Sequence, residues 1–213
     1  MKYKLYWRKS GLKAPWGDIY FDHLKKHNPN NFLEIGVFCG VTARNTCDYL
    51  SKIHGNNFNY IGVDYFGSED LVTSTTDEIQ PSFLQKHKFS NPLKNFYYNI
   101  IKRENINSLE SITKLLKKYE NNVKLIQGDT NIVLKNLDLS SIDYVFLDGG
   151  HSYNTVLNDL NTLCKKIGKG KIILCDDYGD DYIVEVKKAI DFFVKSNNLK
   201  LNIIASRFAE ITT

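Results

Sequence analysis

Asn31-Phe-Leu-Glu-Ile-Gly-Val-Phe-Cys-Gly-Val-Thr-Ala43 is the stretch that decides the fold. Phe32, Leu33 and Ile35 form a short apolar run carrying an acid, Glu34, and closed by Gly36; Cys39-Gly40 follows, then helical spacing from Val41 to Lys52. The order reads as strand, tight turn, helix N-terminus. Glycine allows backbone conformations closed to other residues, and the free N–H groups of a first helical turn favour an anionic group. On this reading Gly36 and Gly40 remove Cβ atoms that would block a ligand. A second apolar run, Asn59-Tyr-Ile-Gly-Val-Asp64, ends in an acid about 24 residues after Gly40, where a carboxylate bonds ribose hydroxyls in open α/β sheets. Together the two runs predict a ribose-bearing cofactor over the ends of the first two strands. A pyrophosphate fits poorly, because Val37 and Phe38 stand where the dinucleotide fingerprint keeps a glycine.

At this point the chain resembles the class I S-adenosylmethionine-dependent methyltransferases. Glu34-Ile-Gly-Val-Phe-Cys-Gly-Val-Thr-Ala43 is most similar to the catechol-type and macrocin-type sugar O-methyltransferases. The resemblance implies a methionine pocket opened by Gly36, Phe38 and Gly40, with Glu34 and Asp64 beside the cofactor. Thr42 stands where catechol-type relatives carry a hydroxyl residue, and there it would hold the cofactor carboxylate.

Outward from this stretch, strand-like runs alternate with helical ones. Phe32–Gly36, Tyr60–Asp64, Val123–Gln127, Tyr144–Asp148 and Lys171–Cys175 are apolar throughout, which means burial on both faces of a mostly parallel sheet. Helical spacing covers Trp16–His27, Thr42–Ile53, Leu109–Tyr119, Asn131–Leu137, Ser152–Lys166 and Ile183–Ser196. Leu199–Ala205 and Arg207–Thr212 have no room between them for a crossover helix, so they must be antiparallel. The expected fold is a doubly wound α/β sheet of seven strands with a C-terminal antiparallel pair, the Rossmann-like methyltransferase fold. Residues 1–213 are expected to form one domain. The stretch from Phe66 to Asn107 is longer than a crossover needs. It reads as an insertion, either a lid or substrate wall or a dimer contact, with Phe96, Tyr97 and Tyr98 facing either core or substrate.

Net charge is +4 and the basic residues are scattered, which argues against a nucleic-acid groove. No apolar run approaches the ~20 residues of a membrane span. Cys39, Cys47, Cys164 and Cys175 show no metal spacing and lie among apolar neighbours, so buried thiols in a reducing, cytoplasmic location are expected. The expected partner is a small-molecule methyl acceptor, with a homodimer open. Its pocket wall is expected from the insertion and from the segment around Trp7, Trp16 and Tyr20.

Gln127-Gly-Asp-Thr130 ends the third strand. Asp129 or Thr130 would cap the following helix, and the resemblance implies that Asp129 also meets the adenine amino group. Asp148 in Asp148-Gly-Gly-His151, and Asp176-Asp177, end two neighbouring strands. Three grouped carboxylates repel one another unless a proton or cation joins them, and oxygen ligands suit Mg²⁺. The resemblance implies the same ion site at Asp148, Asp176 and Asp177, with Asp148 also near the cofactor. His151 stands where catechol-type enzymes place a lysine base, and imidazole can take a hydroxyl proton; the alternative is a helix cap. The second acid of many sugar-type relatives is replaced here by Gly150. The function expected is therefore metal-assisted O-methylation of a hydroxylated small molecule such as a sugar. N-methylation on the same fold, or a non-catalytic S-adenosylmethionine-binding subunit, are the alternatives.

Overall fold

The computed structural model describes residues 1–68, 89–179, 181 and 183–213. Seven strands form one sheet: β1 (Asn31–Ile35), β2 (Asn59–Asp64), β3 (Val123–Gln127), β4 (Tyr144–Leu147), β5 (Ile172–Cys175), β6 (Lys200–Ile204) and β7 (Phe208–Thr212). Their order across the sheet is β3-β2-β1-β4-β5-β7-β6. β1 to β5 pair in parallel, whereas β7 runs antiparallel to both β5 and β6. The expected sheet and terminal pair are thus present.

Helices α1 (Trp16–His27), α2 (Val41–His54) and α4 (Leu109–Leu116) cover one face, and α5 (Thr130–Asn136), α6 (Tyr153–Lys166) and α7 (Val184–Asn197) the other. Alternation within β1 divides the two cores: Phe32 joins the first, Leu33 and Ile35 the second. Each such buried side chain contributes about 1.5–3 kcal/mol. Local chemistry sets the helix ends. The hydroxyls of Ser108 and Ser152 accept from the N–H groups of Ser111 and Thr155, and Asn28 and Asn198 close α1 and α7 in the left-handed conformation.

Residues 69–88 of the expected insertion, including Thr73-Ser-Thr-Thr76 and Pro81, lie outside the described residues. Its remainder holds a short helix, α3 (Pro92–Phe96), running into a π-helical segment, Tyr97–Lys102; neither was expected. Tyr98 is buried with Cys39 and Ile106, whereas Phe96 is exposed. Tyr20 departs from the expected pocket wall. It is fully buried, its ring 4.8 Å from that of Phe146 and tilted to it by 54°, and it is hydrogen-bonded to Thr46, because α1 turns this face onto the sheet. Cys164 is only half-buried, unlike the other three cysteines. No described helix is long and apolar enough to cross a membrane.

The N-terminal segment lies along α2 as a strap. The Tyr3 hydroxyl meets Thr42 Oγ1 at 2.8 Å, the Lys4 backbone exchanges two hydrogen bonds with Asn45, and the Tyr6 hydroxyl donates to Asp48. Arg8 reaches further and donates to the carbonyl oxygens of Ile106 and Cys39 and to Ser111 Oγ.

Candidate active site

The order of the strands creates the site. β1 is joined to β2 on one side and β4 on the other, and such a switch point leaves a crevice beyond the carboxyl ends of the strands. The turn after β1 approaches the turn after β4 very closely. The Asp148 N–H donates to the Ile35 carbonyl at 2.8 Å. A Cβ on Gly36, whose φ is +88°, would lie 1.8 Å from the Asp148 carbonyl oxygen. Gly40, at φ +74°, packs against Ile112 and Leu115 of α4. Gly36 is therefore required by a backbone contact, and Gly40 is favoured by its left-handed conformation. These contacts give both glycines a role inside the protein beside the expected one at a ligand turn.

Asp64 stands at the end of β2 and holds the β1 turn from the side. Its Oδ2 accepts from the Phe38 N–H at 2.8 Å and its Oδ1 from the Phe66 N–H at 2.7 Å. A carboxylate offers about four lone-pair sites, so both oxygens keep capacity for a diol. Burial raises the Asp64 pKa, and the backbone donors oppose that shift. Phe38, at φ +50°, is exposed at the rim of the same turn.

Glu34 behaves differently. It faces the α1–α2 side of the sheet, is buried, and accepts from the Tyr60 hydroxyl at 2.6 Å. Burial pushes its pKa up to about 8, against the opposing Tyr60 hydrogen bond. Folding thus favours the protonated acid. Stability from this group is complete below the ordinary glutamate pKa and is lost as pH rises toward 8. We expect Glu34→Gln, which keeps the shape without the charge, to flatten the decline in urea midpoint between pH 5 and pH 8. An unchanged slope would remove Glu34 as its source.

Asp129 is the N-cap of α5, its Oδ1 accepting from the Asn131 N–H at 2.8 Å, so the cap is Asp129 and Thr130 is the first helical residue. Thr42 lies in the first turn of α2, with its hydroxyl bonded to Tyr3. Ser152 supplies the cap of α6, which removes that alternative for His151.

Beyond β4 and β5, carboxylate oxygens of Asp148, Asp176 and Asp177 lie within 4.8 Å of one another. They border a cavity of about 10 Å³ whose wall includes His151, Gly149 and Gly150. His151 Nε2 is 3.2 Å from Asp177 Oδ2. Arg207, from the β6–β7 turn, clamps Asp176 in a two-point pair, Nε to Oδ1 at 2.5 Å and Nη2 to Oδ2 at 2.7 Å, and reaches Asp177 at 3.4 Å. Burial raises the pKa of Asp148, with Asp176 and Asp177 adding repulsion. Asp176 is raised by the same burial, against the pull of Arg207. Three carboxylates facing one guanidinium leave two negative charges unbalanced. Burial favours the protonated form of Asp148 and Asp176, and one divalent cation would meet the same deficit.

Arg207 was not singled out in the sequence. The signal was the antiparallel register: Cys175 pairs with Ala209, so continuing the ladder sets Arg207 opposite Asp177. The turn can close there because Gly179 has no side chain. A Cβ on it would lie 1.6 Å from the Ser206 carbonyl oxygen. Trp16 of α1 lies under the guanidinium, 5.5 Å away.

A protein-family model described as a methyltransferase domain matches residues 33–178, from β1 through Tyr178. The chain belongs to this family. It is a class I, S-adenosylmethionine-dependent methyltransferase. Solved structures similar to this methyltransferase include the O-methyltransferase NovP, at 15% identity over 92% of this chain and 80% of that one with TM-score 0.66. The calicheamicin methyltransferase CalS11 is 15% identical over 94% and 80% of the two chains, with TM-score 0.60. An SAH-bound methyltransferase of Podospora anserina is 16% identical over 94% and 79%, with TM-score 0.57. At these identities the likeness is one of fold. A curated relative, an uncharacterised protein of Acanthamoeba polyphaga mimivirus, is 46% identical over 41 residues, 19% of either chain.

Proposed function

We propose that this methyltransferase moves the methyl group of S-adenosylmethionine onto a hydroxyl oxygen of a small molecule, of sugar or sugar-containing class, beside a divalent cation of the Mg²⁺ type. The observation that carries the reading is the charge deficit at Asp148, Asp176 and Asp177 around a cavity of about 10 Å³. The donor set is all oxygen, which suits Mg²⁺, and the space is about that of one small probe sphere. The residues present fit such an ion, with Asp148 and Asp177 as its main ligands and Asp176 shared with Arg207. When bound, it would polarise the acceptor hydroxyl and lower its pKa. Two of the similar structures support parts of this reading by what is said of them: one, described as a TDP-rhamnose 3'-O-methyltransferase, supports the sugar class, and another, described as a putative caffeoyl-CoA O-methyltransferase of Staphylococcus aureus, supports transfer to oxygen.

The chain's own residues would do the rest. Asp64 bonds the ribose hydroxyls while keeping its backbone donors. The first turn of α2, with Thr42, faces the cofactor carboxylate, and Asp129 stands at the adenine end. His151 takes the hydroxyl proton. Donation of its Nε2–H to Asp177 selects the tautomer in which Nδ1 is basic, an assignment that follows from the hydrogen bond. Asp177 then stabilises the imidazolium. The remaining catalysis is positioning, since methyl, sulfur and oxygen must be held in line. Trp7, with its ring 5.8 Å from Tyr97 and 6.3 Å from Tyr98, supports an acceptor wall beside the β1 turn. Burial of the Cys39, Cys47 and Cys175 thiols among apolar side chains suits a reducing, cytoplasmic location. A homodimer through the 66–107 region belongs to the same proposal and is read by light scattering.

Calorimetry with S-adenosylmethionine and its demethylated product tests the cofactor. Binding is expected, and an absence of both heats would end the reading. Asp64→Ala removes charge-assisted bonds worth about 1.5–3 kcal/mol each, so the cofactor Kd should rise about tenfold or more. Activity that survives thorough chelation would remove the cation and leave the methyl transfer.

A further inference from the structure

A second group of ligating side chains lies away from the carboxylate cluster, between the end of α1 and the sheet. His23 and His27 are four residues apart on α1 and therefore share one helix face. Their rings lie 4.5 Å apart, and both turn Nε2 toward one oxygen of Glu210 on β7, at 2.5 Å and 3.1 Å. Glu210 is buried mid-strand, opposite Leu174 of β5 and Asn202 of β6. The other nitrogen of His23 meets the Tyr144 hydroxyl at 2.7 Å. A cleft of about 350 Å³ opens beside them, its wall including His27, Tyr144 and Asp143.

We propose that His23, His27 and Glu210 form a binding site for a divalent transition-metal ion, with Zn²⁺ as the fitting ion. Two imidazole nitrogens and one carboxylate are a Zn²⁺ donor set, and the same set is a poor one for Mg²⁺. The donors already converge within 4.8 Å. Around a tetrahedral Zn²⁺ at ~2.0–2.1 Å, ligand atoms stand about 3.3 Å apart. The widest pair of donors therefore closes by at most about 1.5 Å. In the metal-free arrangement each neutral imidazole turns its Nε2–H to Glu210; on binding, each takes the other tautomer, with its one proton on Nδ1, which in His23 is donated to the Tyr144 hydroxyl, and the freed Nε2 meets the ion. Burial favours neutral His23, the form that ligates. Tyr144 is the outer partner that points Nε2 at the ion, and the cleft admits the ion and a water as fourth ligand. Lys26, whose Nζ lies 3.8 Å from Glu210, is the competing cation; its side chain is mostly exposed and free to withdraw. The ion would staple the last turn of α1 to β7.

The test is calorimetric titration of the chelator-stripped full chain with Zn²⁺ in excess Mg²⁺, which occupies the oxygen-rich cluster first. One Zn²⁺ per chain is expected, with a melting temperature that rises with Zn²⁺ concentration. Co²⁺ in its place should give the strong visible absorption of a tetrahedral site. His27→Ala and Glu210→Gln should abolish the stoichiometric heat, while Asp177→Asn keeps it. Tyr144→Phe, which leaves all ligands in place, should weaken binding about 10–100-fold and decides the matter should a ligand variant not fold. Absence of Zn²⁺ binding by the parent chain, or equal binding by the His27 and Tyr144 variants, would overturn the proposal.

Discussion

Arg207→Leu is expected to lower unfolding stability by about 3–5 kcal/mol, the range for a buried pair that loses one partner. The Asp176 side chain is 1% exposed and both of its oxygens are taken by the guanidinium. Without Arg207, the side chain left to face the three carboxylates is His151, 3.2 Å from Asp177. The cost is therefore that of a stranded charge, beyond the loss of two hydrogen bonds. Two corollaries separate this cause from poor packing. Lowering the pH should restore part of the loss, because carboxyls whose folded pKa is raised contribute stability that returns as pH falls through that raised value. Arg207→Lys should fall between parent and Leu variant, since it keeps the charge and loses the two-point fork. Urea titration at two pH values reads all three chains. A loss below about 1 kcal/mol would mean that solvent screens the pair as at a surface.

His151→Gln is the largest expected effect on activity. On the proposed O-methyl transfer, removing the group that takes the hydroxyl proton lowers kcat by about 10²–10⁴-fold. Stability should change little, because the side chain is 40% exposed and surface substitutions usually stay within about 0.5 kcal/mol. Cofactor affinity should also hold, since Asp64 and the first turn of α2 are untouched. The pattern to look for is a fall in kcat with cofactor Kd and urea midpoint intact. An unchanged kcat would move the proton to another acceptor and leave His151 as a partner that orients Asp177.

The strands could be placed within a residue or two from sequence because the central ones, β1, β4 and β5, are short apolar runs with both faces covered, whereas the edge strands β3 and β6, expected or read as runs of the same kind, have no fully buried residue; the period of α6 was equally plain. The β1 turn was legible for a related reason: strand, glycine and helix follow one another without interruption. What sequence missed is non-local. Arg207 acquires its meaning only through the β5–β7 register and the bare backbone of Gly179. The grip of Tyr3, Tyr6 and Arg8 on α2 and α4 joins residues far apart in the chain, with no periodicity to announce it. Glu34 shows another side of this. Its place in the motif was plain, but alternation along β1 turns its side chain toward Tyr60, under the sheet. The π-helical segment Tyr97–Lys102 has no signature that sets it apart from an ordinary helix.

The last two strands also impose a schedule on the chain. β7 lies between β5 and β6, so the penultimate strand has no seat until the final one is made. During synthesis, which delivers N-terminal residues first, the edge of β5 stays open and the acid pair after it lacks its guanidinium until residues 207–212 emerge. Until β7 pairs with it, β5 presents an open apolar edge beside an acid pair that lacks its guanidinium, and an unpaired strand edge of that kind is a template for another chain.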